Sequence, residues 1–226
     1  MTWQHPSLPR LLQLASPMLP VGAYSYSQGL EWAIEDGRVH DLVSAAVWIG
    51  DVLQHGLARF EAPLWWQLYH AWARADFAVV AADNALFVAS RETAELRAES
   101  LQMGTSLRRL LLDVVELAEA ARTCLCDLDP LGFPTAYTLA AHAWSIPAPD
   151  ALQAYLWGWL ENQASVLMKA VPLGQTDGQR LLSRLGAGLP GLVQAAAHCE
   201  TLSNFLPGLA IASCRHETQY SRLFRS

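Results

Sequence analysis

Apolar residues recur at intervals of three and four along most of this chain, and this spacing restricts the fold more than any other feature. No stretch alternates apolar and polar residues over the length of a strand, and Asp-Gly pairs occur only at the predicted ends of helices. The sequence therefore predicts an all-α protein, a single-domain bundle of about eight to ten helices over residues 1–226. The clearest run of helical spacing comprises Leu42, Ala45, Ala46, Ile49, Leu53 and Leu57.

Capping residues and prolines mark the predicted helix ends. Asp41 and Asp76 each precede an apolar periodic run, as N-cap residues do. Thr176 and Gln179 have the spacing of a capping box. The predicted helices cover residues 8–14, 25–36 (capped by Ser25 or Ser27), 41–60, a stretch from 63, 76–89, 92–122 with a charged start, 134–144, 150–171, 176–185 and 192–205.

The composition excludes several classes of protein. Of 226 residues, 52% are hydrophobic and only 16% are charged, which predicts apolar surface that partner proteins cover. The net charge of −6 argues against nucleic-acid binding, which requires a basic face. No apolar run approaches the roughly 20 residues of a membrane span, and the four cysteines show no disulfide framework. We expect a cytoplasmic protein.

The sequence does not support nucleotide binding or hydrolysis by this chain. Residues 186–191 match G-x-G-x-x-G by letter, but a predicted helix precedes the motif and Pro190 lies within it. A P-loop motif does not occur, so we do not expect this chain to hydrolyse ATP or GTP by itself.

Metal binding and enzymatic catalysis are alternatives that the residues alone leave open. Cys214 and His216 form a soft-ligand pair, which suits nickel, but four converging ligands are not evident and inert cysteine is the better interpretation. A small all-α enzyme would need an apolar pocket containing Glu31, His142 or His198. No catalytic triad and no resident cofactor are predicted.

The C-terminal segment, residues 213–226, is unusually rich in arginine and aromatic side chains. These are the residue types that dominate binding hot spots. Tyr220 and Phe224 are four residues apart, so one helical turn would place both rings on one face. Two interpretations remain: the segment folds back onto its own domain, or it becomes ordered on a partner protein. The residues concerned are Arg215, His216, Tyr220, Arg222, Leu223, Phe224 and Arg225.

Lys169 is the only lysine in the chain and lies near the end of an otherwise apolar predicted helix. One interpretation is that it complements the negative end of the helix dipole. The other is that it presents a positive charge to a partner, next to the polar turn that contains Gln175.

Four segments together resemble the UreF family of urease accessory proteins, in the family's order and over nearly the whole chain. They are residues 14–32 (LASPMLPVGAYSYSQGLEW), 91–97 (RETAELR), 169–175 (KAVPLGQ) and 212–226 (ASCRHETQYSRLFRS). The resemblance implies an all-α protein that dimerises and acts as a chaperone without an active site of its own. Cys214 lies at a position that varies in the family, so the resemblance does not support a metal-binding role for it.

The resemblance also implies partners and sites. The implied partners are UreD (also called UreH), the nickel-binding GTPase UreG and apo-urease, with UreF regulating GTP-dependent nickel insertion. The implied UreG face includes Glu31, Lys169 and the adjoining Gln175. The implied UreD face is the C-terminal segment, with His216, Tyr220, Arg222, Leu223, Phe224 and Arg225.

Overall fold

The helices found in the structure confirm the all-α prediction. The structure is a computed structural model, and it describes residues 7–226; residues 1–6 of the predicted domain lie outside it. Within residues 7–226 there is no strand, and no helix is long and apolar enough to cross a membrane. The helices are α1 (Leu8–Leu14), α2 (Leu30–Glu35), α3 (Leu42–Asp51), α4 (Glu61–Ala73), α5 (Phe77–Ala89), α6 (Ala94–Val114), α7 (Glu119–Asp127), α8 (Phe133–Ala143), α9 (Ala148–Ala170), α10 (Gln175–Gly186), α11 (Leu189–Ala197) and α12 (Pro207–His216).

The main core forms where α4, α6 and α9 pack around α8. Trp65 of α4 is fully buried and stacks on Tyr69 at 5.6 Å between ring centroids. Tyr137 of α8 contacts Tyr155 of α9 edge to face at 4.9 Å. Large aromatic rings bury much apolar surface each, so this cluster contributes strongly to the stability of the main core.

A second, smaller apolar cluster lies between α2, α3, α10 and the C-terminal half of α9. Leu30, Ile49, Leu167 and Leu181 are buried there. Phe224, from the end of the chain, is buried in the same cluster. The C-terminal segment is therefore part of the packing of this domain.

The predicted caps are confirmed in two cases and wrong in two. The Asp41 carboxylate accepts from the Ser44 amide at 2.8 Å, and the Asp76 carboxylate accepts from the Val79 amide at 3.2 Å. Helix α10 begins without a side-chain cap, so the capping box predicted at 176 and 179 is wrong. The first helix after Tyr26 begins at Leu30 with Gly29 as its N-cap, so the cap predicted at 25 or 27 is also wrong.

Three predicted helices differ from the observed ones. The helix predicted over 92–122 is interrupted after Val114, where two successive β-branched valines disfavour helix and Val115 adopts an extended conformation. The helix predicted over 41–60 changes to π-helical bonding at Val52–Gly56 and to a 3₁₀ turn at Leu57–Arg59. The helix predicted over 192–205 ends at Ala197, and Pro207 starts α12, which the sequence analysis missed.

Candidate partner-binding site

The C-terminal segment runs back across the start of α2. After α12 ends at His216, the remaining residues are not helical. The amide of Arg225 donates to the carbonyl oxygen of Ser25 at 2.8 Å. The main-chain oxygen of Ser226 accepts from the amide of Ser27 at 2.6 Å and from the Ser27 hydroxyl. These main-chain contacts fix the register of the segment on its own domain.

Glu31 of α2 is the central acceptor of this site. One carboxylate oxygen accepts from the amide of Leu223 at 2.6 Å, and the other accepts from the amide of Phe224 at 3.1 Å. The second oxygen also lies 3.0 Å from Nε2 of His216. Because Glu31 is only 6% exposed, its carboxylate is committed to its own chain.

His216 lies between two carboxylates and is completely buried. Its Nδ1 lies 2.7 Å from the carboxylate of Glu95 on α6, while its Nε2 faces Glu31. The other oxygen of Glu95 accepts from Arg222 at 2.8 Å. The imidazole therefore joins α2, α6 and α12, and Arg222 ties the segment to the same group.

Close packing of α12 against α2 brings these groups together. Gly29 has a φ of 78°, a value that favours glycine, and a Cβ there would lie 3.0 Å from the amide nitrogen of Ser213. The hydroxyl of Ser213 in turn lies 2.7 Å from that of Thr93, the N-cap of α6. The small residues thus allow the approach that places His216 beside Glu31.

Lys169 contacts the segment through Phe224. Its ammonium nitrogen lies 5.4 Å from the centroid of the Phe224 ring, within the range of a cation–π interaction. The lysine itself is exposed in the last turn of α9, and Gln175 is exposed at the start of α10. Glu31 and Lys169, which were expected at the UreG face, therefore contact the C-terminal segment, which was expected to form the UreD face.

The segment folds back, as the first of the two interpretations supposed, but it leaves several side chains outside. Phe224 is 7% exposed, whereas Leu223 is 71% exposed and Tyr220 is fully exposed. Arg222 and Arg225 are also exposed. Tyr220 and Phe224 do not share a face because the residues between them are not helical, so that expectation is wrong.

Two carboxylates of α6 that take part in the site were not found from the sequence. Glu95 is half-buried and contacts His216, and Glu99 is buried. Glu99 accepts from the Gln28 amide group at 2.6 Å and from the Ser226 hydroxyl at 2.9 Å. Burial raises the pKa of Glu99 to about 7. Glu95 and Glu99 are four residues apart and so lie on one face of the helix, next to buried Leu96. That spacing could have identified them, but many other charged residues surround them in the sequence.

A cavity of about 100 Å³ lies beside this network. Glu61, Arg91, Glu99 and Tyr155 are among the residues that line it. Arg91 pairs with Glu61 at 3.2 Å, and Tyr155 donates to the same carboxylate. None of the residues considered for an enzyme, Glu31, His142 and His198, lines the cavity.

The pair considered for nickel does not form a site. Cys214 is exposed, whereas both ring nitrogens of His216 are occupied by carboxylates. Over residues 7–226, no group of three or more His, Cys, Asp or Glu side chains is arranged to hold a metal ion. The Cys214–His216 pair therefore remains two unrelated side chains of one helix.

The fold and the site define a helical protein whose own C-terminal segment forms a surface rich in exposed arginine and apolar groups. The family model for UreF matches residues 39–186. The Azoarcus sp. (strain BH72) urease accessory protein UreF is 62% identical over 221 residues, covering 96% of this chain and 94% of that protein. The UreF of Methylobacillus flagellatus is 58% identical, covering 97% and 98%. The chain belongs to the UreF family of urease accessory proteins.

One relative has a different domain organisation. The bifunctional urease accessory protein UreEF of Bordetella bronchiseptica is 48% identical over 224 residues. The alignment covers 97% of this chain but 52% of that protein. A UreF-like sequence therefore occurs there as part of a longer accessory protein.

Proposed function

We propose that this chain is a non-enzymatic chaperone of urease maturation that bridges UreD and the GTPase UreG. In this role it regulates the GTP-dependent insertion of nickel into apo-urease in the cytoplasm, as a homodimer within the complex. The observation that carries the proposal is the match to UreF proteins over 96% or more of the chain. The fused UreEF relative supports a function exercised beside other accessory proteins.

The proposed UreD face consists of the side chains that the docked segment leaves exposed. Tyr220 and Leu223 supply apolar contact area, and Arg222 and Arg225 supply charged donors. His216 and Phe224 are buried, so in this proposal they act by holding the segment in place.

The proposed UreG face consists of Lys169 and Gln175, which are both exposed. Glu31 contributes indirectly, because its carboxylate already accepts from the segment and has no free oxygen to offer. The absence of a nucleotide motif fits this division of labour, in which the partner supplies the GTPase.

Co-expression with UreD and UreG tests the proposal directly. The double variant Tyr220→Ala/Leu223→Ala removes two exposed side chains and keeps every main-chain contact of the segment. We expect it to lose co-purification with UreD while its helical circular dichroism is unchanged. A matched control is Val114→Ala, which truncates an exposed apolar residue at the end of α6 and is expected to retain UreD.

The outcome that contradicts the proposal is wild-type protein that captures neither UreD nor UreG. Full capture of UreD by the double variant would instead contradict the placement of the UreD face on this segment.

A further inference from the structure

The cavity next to Glu99 has a wall that is largely apolar. Its volume is about 100 Å³, and it is lined by the loop between α1 and α2 and by residues of α6, α8 and α9. Leu19 and Val21 of that loop, Met103 of α6 and Phe133 of α8 form part of the apolar surface. A cavity of about 150 Å³ holds one benzene molecule, so this one has room for a ligand of about four to six non-hydrogen atoms.

The charged side chains at the wall are two carboxylates and one guanidinium group. Glu61 accepts from Arg91 at 3.2 Å, so these two charges are paired. Glu99 is buried and accepts from neutral donors, the Gln28 amide group at 2.6 Å and the Ser226 hydroxyl at 2.9 Å. In the described part of the chain it forms no ion pair. When Glu99 is ionised, the wall therefore carries more negative than positive charge.

Hydrogen-bond acceptors at the wall outnumber the donors that fill them. A carboxylate has about four acceptor sites, and Gln28 and Ser226 fill two of those on Glu99. Asn162 of α9 lines the cavity and is buried, and its Oδ1 has no hydrogen-bond partner among the described residues. The buried hydroxyl of Tyr137, another lining residue, likewise has none among them. A ligand that matches this wall therefore donates several hydrogen bonds.

We propose that the cavity binds a small organic cation, an alkylammonium or alkylguanidinium of about four to six non-hydrogen atoms. Its N–H groups donate to the Glu99 carboxylate and to Oδ1 of Asn162, and its alkyl part packs against the apolar wall. Such cations carry several donors and no acceptor, and their hydrogen bonds to a carboxylate are about twice as strong as neutral ones.

Other ligand classes fit this wall less well. An anion would face the Glu99 carboxylate, while the one guanidinium group of the wall, that of Arg91, is already paired with Glu61. A metal ion would need several converging ligands, and over residues 7–226 no group of three or more His, Cys, Asp or Glu side chains is arranged to hold one. A neutral apolar molecule would leave the acceptors of the wall without donors.

Binding of the cation competes with protonation of Glu99. Burial raises the pKa of Glu99 to about 7, and among its charged neighbours Glu61 raises it further while Arg91 lowers it. Tyr26 lies on the other side with Arg225 near it. Glu99 is therefore mostly ionised at pH 8 and mostly protonated at pH 6, so we expect the cation to bind about tenfold more weakly at pH 6.

Calorimetric titration of the isolated full chain at pH 8 tests the site with n-butylammonium and ethylguanidinium. The neutral control is n-butanol, which has the shape of n-butylammonium without its charge. We expect at least one of the two cations to bind with one-to-one stoichiometry and at least about tenfold more tightly than the alcohol. Equal binding of the cations and the alcohol, or binding of neither cation, would overturn the proposal.

The variant Glu99→Gln removes the charge and keeps the size of the side chain. We expect it to lose at least about tenfold in affinity for the cation at pH 8 and to bind it equally at pH 6 and pH 8. Glu119→Gln is the matched control, because Glu119 is exposed at the start of α7 and does not line the cavity. Wild-type affinity in Glu99→Gln would contradict the role of this carboxylate.

A second measurement locates the ligand in the wild-type protein and does not depend on any variant folding. The indole N–H of Trp159, which donates to Gln28 at 2.6 Å, and the methyl group of Met103 both belong to lining residues. We expect the cation to shift the NMR signals of both and to leave the methyl signal of Met18 unchanged, because Met18 is 86% exposed and outside the cavity. Shifts confined to other signals would overturn the placement of the site.

The same cationic group also occurs on arginine side chains of other proteins. Nα-acetyl-arginine amide separates the two sources, because its peptide unit makes it too large for a cavity of about 100 Å³. We expect it not to compete with ethylguanidinium, and competition at equal concentration would overturn a free small molecule as the ligand. The site is tested on the isolated chain, so its outcome is independent of whether UreD and UreG are captured.

Discussion

The main core and the C-terminal segment are held by different kinds of interaction. The core around Trp65 and Tyr137 is made of aromatic and aliphatic contacts that have no charge to change. The segment is held by hydrogen bonds to buried carboxylates, chiefly those of Glu31 and Glu99. Apolar packing depends on shape, whereas the carboxylate contacts depend on protonation and on which donors are present. The domain therefore combines a core whose packing does not depend on charge with a C-terminal segment whose contacts do.

The largest expected effect belongs to the core. A Cβ on Gly104 of α6 would overlap the carbonyl oxygen of Leu131, and main-chain atoms have little room to shift in a packed interior. We expect Gly104→Ala to lower the free energy of unfolding by about 3 kcal/mol, measured by urea denaturation. Gly158→Ala in α9 is the matched control, because a Cβ there has no neighbour within 4 Å. Equal stability of the two variants would show that the main chain at Leu131 can move to make room for the added methyl group.

Glu31→Ala is expected to separate the segment from the core. The change removes the acceptor for two amides and for His216 while leaving the main cluster intact. Breaking buried charged hydrogen bonds costs several kcal/mol, so we expect docking to weaken roughly 100-fold. Limited proteolysis after Arg222 or Arg225 would report the released segment, and Glu35→Ala on the exposed end of α2 is the control. Resistance equal to that of the wild type would contradict the central role of Glu31.

Glu99 makes the stability of the protein depend on pH. Its pKa is about 7 in the folded protein against an ordinary value of 4.5, so the folded state binds the proton more tightly than the unfolded state. Its contribution to stability is fully present below pH 4.5 and is lost as pH rises through about 7. Between pH 4 and pH 8 we expect Glu99→Gln to gain about 3 kcal/mol of stability on the wild type, because each unit of difference between the two pKa values is worth about 1.4 kcal/mol.

Thermal unfolding of both proteins at pH 5, 6, 7 and 8 would show this difference. A constant difference between the two proteins at all four pH values would mean that Glu99 does not titrate in the folded state.

The sequence predicted the core much better than the site. Helical spacing identified buried residues such as Ala45, Ile49 and Leu53, because burial of an apolar face repeats with the helix. The site depends on contacts between residues far apart in sequence, such as Glu31 with Leu223. Residues 91–97 are densely charged, and only the packing of α12 beside α2 and α6 shows that Glu95 contacts His216. Resemblance to UreF named residues in these segments but carried no geometry.

The smallest expected effect concerns Lys169, where the exposed surface meets the segment. Its ammonium group lies 5.4 Å from the Phe224 ring, and an exposed cation–π contact contributes about 0.5–1 kcal/mol. We expect Lys169→Ala to leave the core unchanged and to weaken docking about twofold to fivefold, measured as the protection factor of the Phe224 amide. Lys169→Arg keeps the cation and is expected to behave like the wild type. In a complex with UreG, Lys169→Ala is expected to alter GTP turnover by more than this docking loss accounts for, because the exposed lysine is part of the proposed UreG face. Turnover that changes only in proportion to docking would mean that Lys169 acts solely through the segment, as we propose for Glu31.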